Sequence, residues 1–233
     1  MTTIPHTSLD STNKVKRRCE KVMGIRSYFA NTTVVKALLI VNGAVFLLEL
    51  YAGGPLIGAL ALWPLTSPGP TVFGVSAPHF QFWQLVTYSF LHGGIMHLML
   101  NMYALWLFGS RMESKWGSKA FALYYFVSVI GAGLVQLIVA ILGTGGGPTV
   151  GASGGVFGLL LAFGLTFPEE RLMLIFPPVA LKAKWFVLIY GAIELWAGVT
   201  GTASGVAHFA HLGGMLFGYL LLVYWRRYPP KNR

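Results

Sequence analysis

Acid is what this chain has least of. Seven Asp and Glu stand against 17 Lys and Arg in 233 residues, and the sole aspartate is Asp10, near the N-terminus. A site that needs an aspartate within the apolar body is therefore excluded. Cysteine is nearly absent as well: Cys19 stands alone, so no intrachain disulfide can form and no thiolate pair is available to a metal. Charge of either sign is missing from three whole stretches, 53–91, 143–152 and 201–205, which hold no Lys, Arg, Asp or Glu. With 10% charged and 55% hydrophobic residues, the composition excludes an ordinary water-soluble domain.

What is present is apolar sequence in six runs, at roughly 34–52, 92–109, 119–142, 153–167, 183–200 and 206–225, each near the length that crosses a bilayer. The fourth ends at Phe167-Pro168 and is the shortest, so it is expected to begin beneath the membrane surface. A polar, basic arm precedes the first run, which reads as a signal anchor and not as a cleavable signal peptide. The predicted fold is an all-α integral membrane protein. It comprises a basic cytoplasmic arm over 1–33, a six-helix transmembrane domain over 34–225 and a basic cytoplasmic tail over 226–233.

Orientation follows from the basic residues. Every Lys and Arg lies in or beside the arm (Lys14 to Lys36), in the connections at 110–119 and 168–184, or in the tail, and those regions share one side of a six-span chain. The positive-inside rule makes that side cytoplasmic, so 143–152 opens on the other face. The net charge of +10 is spread beside apolar spans instead of forming a stripe with interleaved aromatics, which argues against nucleic acid and for anionic lipid headgroups as its partner.

Of the few polar residues in the apolar body, the candidates for chemistry are Ser153, His92, His97, Asn101, His208, His211, Glu49 and Glu194. Ser153 sits in Gly151-Ala152-Ser153-Gly154-Gly155, a Gly-x-Ser-x-Gly frame, but the glycine-rich stretch before it is no strand, as a soluble nucleophile elbow would require. At the head of the fourth span it reads either as an N-cap or as a nucleophile whose oxyanion would meet unpaired helix N–H groups. Without an aspartate, a Ser–His pair is what the chain can assemble.

Two further clusters bear on that choice. His97 and Asn101, four residues apart, share a helical face and can either donate to an oxyanion or act as polar glue between spans; no cysteine or acid accompanies them as a metal ligand. His211 shares its face with Gly214 and Gly218, a pattern that lets another backbone approach, whereas His208 faces His211, Leu212 and Met215. Gly154-x-x-x-Gly158 offers a small-residue surface just below Ser153, so the fourth and sixth spans can meet with Ser153 opposite His211.

Taken together, His92 to Asn101, Gly151-Ala152-Ser153-Gly154 and Ala210 to Gly218 resemble the rhomboid family of intramembrane serine proteases over about residues 34–225. The resemblance implies Ser153 as nucleophile and His211 as general base. It implies His97, Asn101 and the Ser153 backbone N–H as the oxyanion hole, and His92 as a structural or water-retaining residue at the mouth. Gly151, Gly154, Gly214 and Gly218 are supporting positions. Glu113 and Gly117 match the acidic and glycine positions after the second span.

Two positions depart from the family pattern. Trp83-Gln84 stands where the family often has Trp-Arg, and Lys115 stands near Glu113 instead of the frequent Arg, which touches loop anchoring and local ion pairing. The 53–91 stretch is uncharged and aromatic, suited to dipping into the outer leaflet or to forming an ordered surface loop. Glu194 is given no catalytic role; it can pair with another span, stay protonated or border a water cavity.

The expected activity is hydrolysis of a peptide bond in or beside a substrate's transmembrane segment, with no metal or cofactor, in a cell (plasma) membrane and with the site open to the non-cytoplasmic face. The expected partners are transmembrane protein substrates and membrane lipids, with no nucleic acid. A non-proteolytic rhomboid-like protein that binds membrane clients is the alternative, and it would usually lack the serine or the histidine. A transporter or metal-handling protein built on the four histidines would tolerate loss of Ser153.

Overall fold

The computed structural model describes residues 32–65, 78–143, 147–173, 179–202 and 206–230. The basic arm, most of the glycine entry at 143–147, Pro177-Pro178, and parts of the 53–91 stretch and of the 200–207 connection lie outside these residues, with the expectations placed on them.

Helix α1 spans Thr33–Leu60, longer than the predicted 34–52. The chain bends at Ala52 and resumes its helix with Pro55 three residues on, in the first turn after the bend, where a missing N–H is tolerated. The start of α1 is held from outside. The N–H groups of Val34 and Val35 donate to the Glu113 carboxylate at 2.9 and 2.8 Å, and Ser118 Oγ donates to it at 2.6 Å. Those are the donors a helix N-terminus leaves unpaired, and a carboxylate complements its dipole. Lys115, read from sequence as the basic partner of Glu113, instead lies over the Phe167 ring, 5.4 Å from its centroid.

After α1 the chain is pinned by Gln84. This residue is buried, accepts from the N–H of Trp63 and Gln81 at 3.3 and 3.2 Å, and donates to the Ala59 carbonyl at 3.5 Å. Gln84 thus ties this segment together, and the absence of an arginine leaves it anchored. Gln84 begins the short helix α2 (Gln84–Thr87), which a 3-10 turn, Tyr88–Phe90, continues.

The second apolar run forms α3 (Ile95–Ala104), a widened π turn (Leu105–Gly109) and α4 (Ser110–Trp116), so its helix reaches Trp116 and not 109. Gly117, at φ 81°, turns the chain into α5 (Ser118–Ile141). Helix α6 spans Ser153–Thr166. The connection beyond it departs from the all-α expectation: β1 (Arg171–Met173) and β2 (Ala180–Lys182) pair antiparallel, Leu172 opposite Leu181. Beside this hairpin Glu169 bonds Lys182 at 2.7 Å and also Lys184, and these lysines hold its carboxyl well below the usual range, at about 2. Helices α7 (Ala183–Thr200) and α8 (His208–Arg227) complete the fold.

Helix α5 lies at the centre, packed along α8 and α6, while α1 and α7 expose broad apolar faces that include Ile40, Leu47, Leu188 and Trp196. By length and composition α1 and α5 can each cross a bilayer. Helix α6 has 14 residues, about 21 Å at 1.5 Å per residue, against a hydrocarbon core of about 30 Å. Its two ends therefore cannot both reach the surface.

The α6–α8 contact is made by backbone. A Cβ on Gly214 would lie 2.0 Å from the Gly154 carbonyl oxygen, and one on Gly158 would lie 3.1 Å from that of Gly214. The expected meeting of the fourth and sixth spans is therefore observed. Gly218 serves a different neighbour: its space is filled by Tyr124 and Ser128 of α5.

Candidate active site

Ser153 is the first residue of α6; Ala152 occupies the capping position before it. The hydroxyl is engaged elsewhere, with Ser153 Oγ 2.8 Å from His211 Nε2. The close α6–α8 approach produces this contact, because a side chain at Gly214 would hold the helices apart. His211 is buried, and the ring of Phe157, one turn along α6 from Ser153, stacks on it at 4.2 Å and 5° between planes. A flat ring stacked in this way fixes the plane of the imidazole.

The other nitrogen of His211 is also occupied. Nδ1 lies 2.8 Å from Glu194 Oε2, and the same oxygen lies 2.7 Å from His208 Nδ1. His208 Nε2 in turn lies 3.2 Å from the Thr202 carbonyl oxygen. Glu194 comes from α7, whose buried residues Ala183, Val187, Glu194 and Ala197 form one seam against the bundle. Sequence reasoning left both Glu194 and Phe157 without a role. The signal for Glu194 was its company, since Gly191 and Gly198 flank it at three and four residues and mark an inward face.

His97 and Asn101 lie on α3 as the spacing predicts. The Asn101 side-chain amide donates to the His97 carbonyl at 2.9 Å, which leaves its second N–H uncommitted by that bond. Gly151 sits between His97 and Ser153. A Cβ there would be 2.8 Å from His97 Nε2 and 3.7 Å from Ser153 Oγ, and its φ of 124° disfavours any side chain. The Gly151 N–H donates to the Tyr88 carbonyl at 2.9 Å, and Leu62 and Thr149 exchange backbone hydrogen bonds just before it. The strand-like entry to α6 is thereby held against the end of α1.

His92 packs edge-on against His97, ring centroids 5.1 Å apart, and its backbone N–H donates to Glu49 at 3.0 Å. Both nitrogens of the His92 ring are buried without a hydrogen-bond partner.

Chemically, the arrangement offers a hydroxyl within reach of an imidazole, a carboxylate behind that imidazole, and polar groups beyond a side-chain-free position. Among the described residues Glu194, His208 and His211 also present three ligand atoms within 4.8 Å of one another, a spacing a metal ion could use. Those same atoms are hydrogen-bonded to one another, and His211 Nε2 is turned to Ser153.

A family model described as a Rhomboid domain matches residues 79–228, which include His92, His97, Asn101, Ser153, Glu194, His208 and His211. The mouse (Mus musculus) presenilin-associated rhomboid-like protein, mitochondrial, is 33% identical over 152 residues, 62% of this chain and 38% of its own length. RHOMBOID-like protein 4 of Arabidopsis thaliana is 30% identical over 235 residues, 91% of this chain and 56% of its own. Rhomboid protein 1, mitochondrial, of Saccharomyces cerevisiae is 32% identical over 151 residues, 62% of this chain and 42% of its own. The chain thus spans about half the length, or less, of these curated relatives.

Proposed function

The chain belongs to the rhomboid family, and from that premise we propose that it is an intramembrane serine endopeptidase that cuts peptide bonds in or next to transmembrane segments of membrane proteins. The observation that carries this reading is the 2.8 Å contact between Ser153 Oγ and His211 Nε2, the spacing of a nucleophile and its base.

In this mechanism His211 Nε2 takes the Ser153 proton as Oγ bonds to the substrate carbonyl carbon. The resulting oxyanion is held by His97, Asn101 and the Ser153 N–H at the start of α6, where unpaired donors and the helix dipole favour negative charge. The leaving amine takes the proton from His211 as the C–N bond breaks. Water then attacks the acyl-enzyme with His211 again as base. Gly151 keeps the oxyanion side clear. The substrate helix must unwind locally, since its carbonyls are otherwise hydrogen-bonded.

We further propose a six-span bundle with both termini cytoplasmic, the site opening to the non-cytoplasmic face of a cell (plasma) membrane. Two of the relatives above are named as mitochondrial, so fractionation of tagged full-length protein is the measurement for that assignment, and recovery in mitochondria would overturn it.

Co-expression with a tagged transmembrane reporter tests the activity. Wild type should release the reporter's soluble part, Ser153→Ala and His211→Ala should release none, and His208→Ala should retain measurable cleavage because His208 does not touch Ser153. Cleavage that persists in both Ser153→Ala and His211→Ala would sink the assignment. A chain that binds the reporter equally well with and without Ser153 and never cuts it would be the client-binding relative instead.

A further inference from the structure

The 2.8 Å contact between His211 Nδ1 and Glu194 Oε2 gives the histidine a carboxylate partner drawn from a third helix, which the Ser–His pair alone does not need. We propose that Glu194 is the positioning member of a Ser153–His211–Glu194 triad, and that His208 neutralises its carboxylate by sharing one proton with it. This rests on the protease reading.

The assignment follows from counting protons along the chain of contacts. A backbone carbonyl only accepts, so the His208 Nε2 that faces the Thr202 oxygen at 3.2 Å carries a hydrogen. For His211 to act as a base its Nε2 must offer a lone pair to the Ser153 hydroxyl, which puts the hydrogen of the neutral ring on Nδ1. That hydrogen points at Glu194 Oε2. Glu194 therefore selects the reactive tautomer and sets the direction of the ring, while Phe157 sets its plane.

One contact remains, 2.7 Å between Glu194 Oε2 and His208 Nδ1. With Nε2 already protonated, this contact needs one proton, resident on His208 as imidazolium or on Glu194 as acid. Either way the Glu194–His208 pair is neutral overall. That matters at a position where an unpaired carboxylate would be costly.

When the Ser153 proton moves to His211 Nε2, the ring becomes cationic with its Nδ1–H on Glu194 Oε2. The shared proton then settles on His208, leaving Glu194 as the counter-charge. No proton is gained or lost: one leaves Ser153, one arrives on His211, and the Glu194–His208 proton stays within its pair. After the leaving amine takes the His211 proton, the ring is neutral again with Ser153 acylated. The water that cleaves the acyl-enzyme gives a proton to His211 Nε2, which passes it to the departing Ser153 Oγ and restores the starting arrangement. In a Ser-His-Asp triad the acid likewise orients the imidazole and stabilises its cation, and removing its charge costs about 10⁴-fold in kcat.

The test uses the purified full chain in lipid vesicles with a transmembrane-peptide substrate. Glu194→Gln and Glu194→Met should each lower kcat by roughly 10²- to 10³-fold while KM stays within about threefold, since the carboxylate acts on His211 and not on bound substrate. His208→Ala should lower kcat less, by about 3- to 10-fold. Values of kcat within threefold of wild type in both Glu194 variants, or a loss confined to KM, would overturn the proposal while leaving the protease reading intact.

A second readout needs neither turnover nor a Glu194 variant. Nitrogen NMR of labelled histidine in the Ser153→Ala chain should report His211 protonated at Nδ1, and a His211 protonated at Nε2 alone would overturn the proposal. Should wild type and Ser153→Ala cleave alike, the protease reading fails by itself, and the NMR measurement still decides whether the His211 hydrogen lies on Nδ1, facing Glu194.

Discussion

A Cβ on Gly151 would lie 2.7 Å from one ring atom of His97 and 2.8 Å from another, on a backbone whose φ of 124° suits glycine. Gly151→Ala must therefore push His97 away or turn the entry to α6, and either movement disturbs the oxyanion side while leaving the distant helix packing alone. The expected result is a fall in kcat of about 10²-fold or more, with the helical circular dichroism of wild type; near-normal kcat would show that His97 does not serve the oxyanion. The legibility of single residues divides along the same line. Ser153 and His211 were readable because small neighbours announced a close backbone approach, and Gly151 because glycine clustered there. Glu194 and Phe157 were not, since their roles depend on the rotation of α7 and on a stacking geometry that spacing alone does not fix.

At the scale of elements, the contact to probe is that of α6 with α8. A methyl at Gly214 would have to occupy space 2.0 Å from the Gly154 carbonyl oxygen, which is backbone and cannot swing aside. Gly214→Ala should separate the two helices, stretch the Ser153–His211 contact and destabilise the fold by about 1–3 kcal/mol, the usual range for overpacking. Thermal unfolding in detergent measures the second effect and reporter cleavage the first; an unshifted midpoint with full cleavage would show that this interface yields. Helices α5, α6 and α7 begin and end within a residue of the apolar runs that predicted them, because a glycine, proline or charged residue closes each run. Helix α1 runs on past Ala52 and the second run extends through a π turn to Trp116, because helix continues there through Gly53, Pro55 and Arg111, residues that hydropathy treats as stops. The β1–β2 hairpin is too short for a two-residue period to register.

For the molecule as a whole, the decisive feature is that charge and chemistry occupy opposite ends. Glu113 joins the first turn of α1 to the start of α5, Arg111 bonds Glu170 at 2.9 Å beyond α6, and Trp116 meets Trp225 near the end of α8 at 5.4 Å between rings. Lys36, Arg111, Lys115, Lys119, Arg171, Lys182, Lys184, Arg226 and Arg227 all belong to that end, whereas Ser153, His211, Glu194 and the Thr202 carbonyl belong to the other. Contacts between helices thus gather into one layer the basic residues that sequence distributed over four separate regions. Because positively charged segments tend to be retained in the cytoplasm, the gathered layer is what supports the proposed orientation of the bundle. A reporter inserted near residue 146 should be active only outside the cytoplasm, and one fused after residue 230 only within it. Replacing Lys182, Lys184, Arg226 and Arg227 with Gln should weaken the preference without altering the Ser153–His211 contact. A cytoplasmic signal from the insertion near 146 in the wild-type background would invert the arrangement, placing the Ser153 end, and any water it admits, on the inner face.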